Sequence, residues 1–565
     1  MDPLADLNRA FLAFISHCPN ACIELGLAQQ RDRLPDPSEA SHQQWMAKAQ
    51  AVLDAADACG ALSFDQEQDR QLMRLWAQRV RFEGTLDVDG HTHRQRLPKA
   101  GETISAGIFL LVTRDNRADS ERLDDILGRI KQVPEYLHGH LAQLTVPLAR
   151  WVQIDIETLA GLPELFDSIR HWAVQADYPA LDSLTEAIAQ ANKAMAHYAE
   201  ALEALPSSER FAIGLERAQR LVALNGVRLS LDEIHQVTRQ FVSRTQGQIA
   251  SLHRALVQRY QLGADTTVAE LQAFLHRRYA VPLEGGQLAS VIDRYHREAE
   301  KIEAFVRQHD LFVLPEAQSM TIMQTPAFMA PMIPAGAMMQ PAALAEGTKT
   351  SQVYLTLSEA LLDEHTELGI PVMMMHEGIP GHHLQLATAA LHPTMVRRAF
   401  PAIELAEGWA TMLEDYMLDL GYMGELTDEA RFIAKLDLSR ISARVAIDLY
   451  FMTGNADYLE IGYPLTLDSE DPFVNAGRLL KAVTGFTDER VEGELNWYSQ
   501  ERGYPLSYLV GNHLVWGLKR DFDAAQAEQQ PDPRARDRAF HRHFLESGNL
   551  PVAMVRERFA HLGLI

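Results

Sequence analysis

A histidine–glutamate pair, His376 and Glu377, opens the segment HEGIPGHHLQ, which is rich in side chains that bind metals. In the common zinc-peptidase helix a second histidine follows the first after four residues. Here the next histidines are His382 and His383. Because each helical residue turns by about 100°, an unbroken helix would place His382 about 120° away from His376 and His383 roughly 10 Å farther along the axis. Neither could share an ion with His376 on such a helix.

Three residues that disrupt helices lie between these histidines, namely Gly378, Pro380 and Gly381. Proline removes an internal hydrogen bond, and glycine tolerates unusual dihedral angles. A break at this point could turn His382 back toward His376, so the altered spacing is compatible with a metal site. His383 stays open as a substrate contact or as the second ligand in place of His382.

A catalytic zinc site needs a third protein ligand and a base that activates water. The next helical pattern, AIELAEGWATMLEDYM, offers Glu407 and Glu414, with Glu404 at its start. A carboxylate on this second helix would complete a His, His, Glu set, and both Glu407 and Glu414 stay open as that ligand. Glu377 suits the general base. The alternative is a helix end with surface histidines and no metal.

The elements that must position these residues are mostly helical. Residues 1–310 carry apolar side chains at helical spacing and predict a scaffold or cleft wall. The composition changes near residue 311 to a Pro-, Gly- and Met-rich stretch, which predicts loops and short strands ending near Val353 to Leu357. Helical patterns return after residue 358. We therefore expect a mainly α protein with a small β-sheet in a catalytic region at 311–565.

The amino-acid composition bears on the partners and the compartment of the protein. The formal charge is 52 − 76 = −24, which argues against nucleic acid and anionic membrane surfaces as partners. Three cysteines, Cys18, Cys22 and Cys59, favour a reducing compartment over a disulfide framework. The N-terminus lacks the basic region of a secretory signal, and no apolar run reaches about 18 residues. We expect a cytoplasmic protein, and its oligomeric state is not indicated.

Four motifs in order resemble one bacterial family. They are HEGIPGHHLQ, AEGWA, the R-x-x-x-R-x-x-x-D spacing of Arg440, Arg444 and Asp448, and NWYSQERGYPLSYLVG. This set resembles the domain-of-unknown-function 885 family, best over residues 311–520. The resemblance implies similarity to zinc metallopeptidases of the gluzincin type, in which a large helical shell surrounds a deep cleft.

The resemblance also implies roles for residues. His376, His382 and Glu407 match the metal ligands, with zinc as the cofactor, and Glu377 matches the base. Tyr498 and Tyr508 match the two family tyrosines, either of which could donate a hydrogen bond to an oxyanion. Their alternative is packing, with each hydroxyl satisfied by the backbone.

Substrate contacts are expected from the arginines of the third motif. Arg440 and Arg444 lie one turn apart and could bind a peptide carboxylate, although ion pairs with acids along the helix are the alternative. The chain departs from the family pattern at Arg502, Tyr504 and Leu509, where Pro, Gln and Lys are usual. These departures bear on specificity more than on metal binding.

Three classes of function follow. The first is a zinc-dependent hydrolase that cleaves amide bonds of short peptides with metal-activated water. The second is a zinc hydrolase of a non-peptide amide or ester that uses the same residues. The third is a binding protein with an inert metal site.

Overall fold

Helices make up most of the chain, and a three-stranded sheet lies in its C-terminal half. The computed structural model describes residues 3–115, 117–283, 285, 287–325, 336–357, 362 and 365–565. The prediction of a mainly α protein with a small C-terminal sheet is confirmed. Within the described residues, no helix combines the length and the apolar character that crossing a membrane requires.

The chain divides into two units. The first is formed by Met1–Phe211 together with Ala342–Glu346, and the second mainly by Ala212–Pro326 and Gly347–Ile565. The division therefore falls well before the boundary near residue 310 that composition predicts. The reason is that helices between residues 212 and 310 pack on the C-terminal helices, so the change in composition marks the sheet and not the end of a unit.

The described part of the first unit consists of helices and one short hairpin, in which Asp87 pairs with Thr92 and Val88 with His91. Its elements are α1 (Ala5–Ile15), α2 (Pro19–Leu25), α3 (Glu39–Asp57), α4 (Phe64–Thr85), β1 (Asp87–Val88), β2 (His91–Thr92), α5 (His93–Arg96), α6 (Ala100–Thr113), α7 (Asp119–Gln143), α8 (Ala149–Gln175) and α9 (Leu181–Glu203).

The second unit contains the sheet and the motifs. Its elements up to the sheet are α10 (Leu215–Leu224), α11 (Leu231–Arg259), α12 (Val268–Arg278), α13 (Ala289–Gln308), β3 (Gln318–Gln324), β4 (Gly336–Met339) and β5 (Lys349–Leu355). Those after it are α14 (Gly369–Glu377), α15 (His382–Ala390), α16 (Met395–Ala399), α17 (Ile403–Asp419), α18 (Thr427–Thr453), α19 (Pro472–Thr484), α20 (Asp488–Gln500), α21 (Ser507–Gln526), α22 (Pro533–Leu545) and α23 (Val552–His561).

The sheet is mixed. Strand β5 lies in the middle, parallel to β3 and antiparallel to β4. Gln318 pairs with Lys349 at one end of the β3–β5 ladder, and Gln324 pairs with Leu355 at the other. This ladder presents Gln318 and Ser351 to helix α15, where both contact a histidine of the HEGIPGHHLQ motif.

Helix α18 is buried on all sides over most of its length. Its sequence predicts an amphipathic helix, but α10, α11, α17, α19, α20 and α21 pack around it. A helix enclosed in this way carries apolar residues on every face, and its polar side chains need partners inside the protein. Arg440, Arg444 and Asp448 are on this helix.

Helices α17 and α21 pack unusually closely because two glycines face each other. A Cβ atom on Gly408 would overlap the backbone of Gly511, and one on Gly511 would overlap the carbonyl oxygen of Glu404. This close approach brings the segment before α21 against the start of α17. The glycines of the second and fourth motifs therefore set the spacing of the two helices.

Candidate metal centre

The helix that begins the HEGIPGHHLQ motif stops at Glu377, and a new helix starts at His382. The Ile379–Pro380 peptide bond between them is cis. A Cβ atom on Gly381 would overlap the carbonyl oxygen of His376, so only glycine fits where the chain folds back. The structure therefore contains the helix break that the sequence predicts.

The break brings two histidines together. The ring centroids of His376 and His382 lie 4.7 Å apart, with the rings nearly perpendicular. Trp409 holds the turn from the neighbouring helix, because its indole Nε1 donates a 2.9 Å hydrogen bond to the carbonyl oxygen of Pro380. The side chain of Trp409 is fully buried.

Glu407 completes a three-residue cluster with these histidines. Its Oε2 lies 3.4 Å from Nε2 of His382 and 3.7 Å from Nε2 of His376. One potential ligand atom from each of the three residues lies within 4.8 Å of the others. Among the described residues, this is the one cluster of three or more acidic, histidine or cysteine side chains in which such atoms converge this closely.

The cluster fits a zinc ion. Ligand atoms about 2.0–2.2 Å from a tetrahedral zinc lie roughly 3.3–3.6 Å apart, close to the two measured separations. Oε2 of Glu407 is buried and has no hydrogen-bond partner among the described residues. A buried carboxylate oxygen in this state is expensive unless a cation compensates it. Burial would raise the pKa of Glu407, but the charges of His382, His376 and Arg444 lower it below its ordinary value.

The other acids of α17 have different partners. Glu414 lies 2.7 Å from Nδ1 of His376 and fixes that ring, which is the usual arrangement behind a metal-binding histidine. Glu404 accepts a hydrogen bond from the backbone N–H of Val552. Asp415 accepts a hydrogen bond from Lys435.

The charges around His376 are mainly negative. Burial alone would lower the pKa of His376, but the hydrogen bond to Glu414 and the charges of Glu377, Glu414 and Glu407 raise it to about 9. The field that stabilises a proton on this ring would also stabilise a divalent cation. Glu377 is half-buried at the end of α14, beside His376 in the chain.

The structure places His383 apart from the cluster. Its Nδ1 lies 2.7 Å from Oγ of Ser351, and its Nε2 bonds the side-chain oxygen of Gln318. The ring is fully buried, and burial lowers its pKa to about 4. Both ring nitrogens are engaged, so His383 joins α15 to the sheet and offers neither a second ligand nor a substrate contact.

Tyr498 is also engaged within the protein. Its hydroxyl accepts a 3.0 Å hydrogen bond from Nε of Arg444 and donates one to Glu494. The guanidinium of Arg444 bonds the same carboxylate at 3.1 Å and lies 4.6 Å from the ring centroid of Tyr508. Tyr498 and Arg444 thus form a buried structural network. The hydroxyl of Tyr498 is satisfied by side chains and not by the backbone, and the acid that pairs with Arg444 comes from α20 and not from its own helix, so both partners differ from the alternatives stated above.

Tyr504 is a site residue that sequence reasoning missed. Its hydroxyl lies 3.5 Å from Oε1 of Glu407, and its ring centroid lies 6.1 Å from that of Tyr508. Asp448 holds the turn that carries it by accepting hydrogen bonds from the backbone N–H groups of Gly503 and Leu506. The signal was present, because Tyr504 is one of the positions where the chain departs from the family pattern.

Comparison with known families supports this assignment of motifs. The family model described as "Bacterial protein of unknown function (DUF885)" matches residues 19–559. The chain belongs to the DUF885 family. A comparison with curated proteins gives no significant match.

Two solved structures have the same fold as this DUF885 protein. One is described as a "putative lipoprotein of unknown function" from Shewanella oneidensis, with 17% identity and a TM-score of 0.75. The other is described as a "putative lipoprotein" from Colwellia psychrerythraea, with 16% identity and a TM-score of 0.79. In each case the match covers 99% of both chains.

The DUF885 motif E-G-W-A has a structural explanation at each of its first three positions. Glu407 faces the two histidines, Gly408 allows α21 to approach, and Trp409 fixes the turn before His382. All three residues lie at or next to the cluster. The motif therefore contains both a candidate ligand and the residues that hold the neighbouring elements in place.

Proposed function

We propose that this DUF885 protein is a zinc-dependent hydrolase that cleaves amide bonds of short peptides. The observation that carries the proposal is the buried, unpartnered Oε2 of Glu407, which faces Nε2 of both His376 and His382. Glu414 supports the same reading because it fixes His376 from behind. The resemblance of the motifs to gluzincin peptidases favours a peptide as the substrate.

The proposed roles follow from position. A zinc ion held by His376, His382 and Glu407 would polarise the substrate carbonyl and lower the pKa of bound water to about 7. Glu377 takes the proton of the attacking water and returns it to the leaving nitrogen. Tyr504, and Tyr508 beside it, donate hydrogen bonds to the oxygen on which charge develops. Tyr498 positions Arg444 and Glu494 and does not contact substrate.

Two other functions use the same residues. A non-peptide amide or an ester could occupy the same site, since the three ligands and Glu377 do not select the acyl group. A binding protein with an inert metal would need the three ligands but would not need a general base such as Glu377. The half-buried carboxylate of Glu377 beside His376 favours hydrolysis over the inert site.

The first test is metal content, measured on untagged protein. We expect one zinc per chain in the wild type and in His383→Ala, and none in His376→Ala, His382→Ala or Glu407→Ala. His383→Ala is the matched control because it removes a buried histidine of the same motif outside the cluster. Wild-type protein that takes up no zinc at neutral pH would overturn the proposal.

The second part of the test separates hydrolysis from binding. Glu377→Gln keeps the shape of the side chain and removes its basicity, so we expect full zinc content and hydrolysis lowered by about 10²–10⁴-fold. Activity is measured on a panel of short peptides, with amide and ester compounds alongside. Cleavage of only the non-peptide compounds would replace the peptidase proposal with the second function.

The compartment is a separate proposal. The cytoplasmic location predicted from the sequence relies on the few cysteines and on the missing basic N-terminal region. The two structural neighbours are described as "putative lipoprotein", which favours an extracytoplasmic location for this chain instead. Fractionation of the native host, followed by detection of the chain in each compartment, decides between the two.

A further inference from the structure

The two arginines of α18 differ in their pairing. Arg444 has partners within the protein: it donates hydrogen bonds to Tyr498 and Glu494, and its guanidinium lies over the rings of Tyr508 and Trp497. Arg440 lies one turn earlier, about 6 Å along the same helix. Its Nε is buried and has no hydrogen-bond partner among the described residues, and no ion pair of Arg440 occurs within them.

Arg440 belongs to the same group of side chains as the candidate metal centre. It lies one helical turn from Arg444, whose guanidinium bonds Glu494 and lies 4.6 Å from the ring centroid of Tyr508. Tyr508 connects this group to the centre through Tyr504, whose hydroxyl lies 3.5 Å from Glu407. An anion bound by Arg440 would therefore join the group of side chains that continues to the candidate metal centre.

The charges at the site indicate that the anion bound by Arg440 is a carboxylate of the substrate. The site contains the carboxylates of Glu377, Glu407 and Glu414, so a substrate carboxylate would be repelled unless a cation received it. Glu494 is already bonded by Arg444 and Tyr498 and leaves the charge of Arg440 only partly compensated. A guanidinium presents a planar pair of donors that matches a carboxylate.

We propose that Arg440 binds the free C-terminal carboxylate of the substrate, so that the enzyme is a carboxypeptidase acting on short peptides. This inference rests on the proposed hydrolase function. The reaction needs no further reactant: water gives its hydroxyl to the acyl carbon, the C–N bond breaks, and the leaving amine takes the proton.

The test compares each peptide with its C-terminal amide. We expect the wild type to cleave the free acid with kcat/KM roughly 100-fold above that of the amide. Arg440→Gln should lose this preference, so that the ratio of kcat/KM for the free acid to that for the amide falls to about 1, and Arg440→Lys should recover part of the ratio. Arg431→Gln is the matched control, since Arg431 lies on the same helix but pairs with Asp415 and Asp419.

A binding measurement keeps this inference separate from the hydrolase proposal. Zinc-loaded Glu377→Gln protein, with and without Arg440→Gln, is titrated calorimetrically with the free-acid and amide peptides. Preference for the acid that disappears with Arg440→Gln supports the carboxylate site even if wild-type protein hydrolyses nothing. If protein that retains Arg440 cleaves the acid and the amide equally and binds them equally, the carboxylate-site proposal is overturned, while the hydrolase proposal stands. Zinc content and Tm of each variant confirm that it is folded.

Discussion

At the scale of single residues, the three tyrosines of the fourth motif have different freedom to act. The hydroxyl of Tyr498 is shared between Arg444 and Glu494, and its ring is fully buried. The hydroxyl of Tyr504 faces the carboxylate of Glu407. A hydroxyl with two strong partners cannot turn toward a substrate without breaking both bonds. Of the three, Tyr504 is therefore the tyrosine whose hydroxyl lies at the candidate metal centre.

This difference predicts how two similar variants behave. Tyr504→Phe removes a donor from the developing oxyanion, so we expect kcat to fall about 100-fold with KM and zinc content nearly unchanged. Tyr498→Phe removes a partner of Arg444 and Glu494, so we expect a lower Tm and a smaller effect on kcat. Steady-state kinetics on the same peptide check both. A Tyr504→Phe enzyme with wild-type kcat would remove Tyr504 from the mechanism.

Some of these roles could be inferred from the sequence and others could not. The helix break follows from Gly378, Pro380 and Gly381, but residue types and spacing leave Glu407 and Glu414, and His382 and His383, as alternatives that only the family resemblance separates. Glu414 could not be distinguished as the partner of His376, since either a ligand or a supporting residue can be a glutamate on the same helix. Arg444 was equally ambiguous, because its partner Glu494 comes from another helix.

At the scale of elements, the turn between α14 and α15 determines the site. Gly381 fits there only because it lacks a Cβ atom, which would overlap the carbonyl oxygen of His376. Sequence predicts the break from Gly378, Pro380 and Gly381, but it does not reveal that Trp409 fixes the turn from α17. That contact is long-range, and a tryptophan in an apolar helix looks like ordinary core from its neighbours in the chain.

Gly381→Ala tests the importance of this turn. The added methyl group forces His376 and His382 apart, so we expect zinc affinity to fall by at least tenfold together with a lower Tm. Gly493→Ala is the matched control, because a Cβ atom at Gly493 meets no atom within 4 Å in the interior of α20. We expect that variant to keep its zinc and its Tm, since alanine favours a helix over glycine. Wild-type zinc affinity in Gly381→Ala would contradict the proposed dependence.

At the scale of the whole molecule, buried acids make stability depend on pH. Burial raises the pKa of Asp448 and of Glu404 to about 7, although each accepts backbone hydrogen bonds. The folded state therefore binds protons that the unfolded state has already released above its ordinary pKa of about 4. Stability from these groups is present at low pH and is lost as the pH rises toward 7.

Glu404 allows this dependence to be isolated. Glu404→Gln keeps an oxygen that can accept the hydrogen bond from Val552 and removes the titration. Ionisation of Glu404 destabilises the wild type above pH 7 by at most about 4 kcal/mol, so the variant should gain in Tm relative to the wild type between pH 5 and pH 8. Taking the difference between the two Tm curves cancels groups of the opposite sign, such as Glu494, whose pKa is lowered. A difference that does not change with pH would show that Glu404 does not titrate in this range.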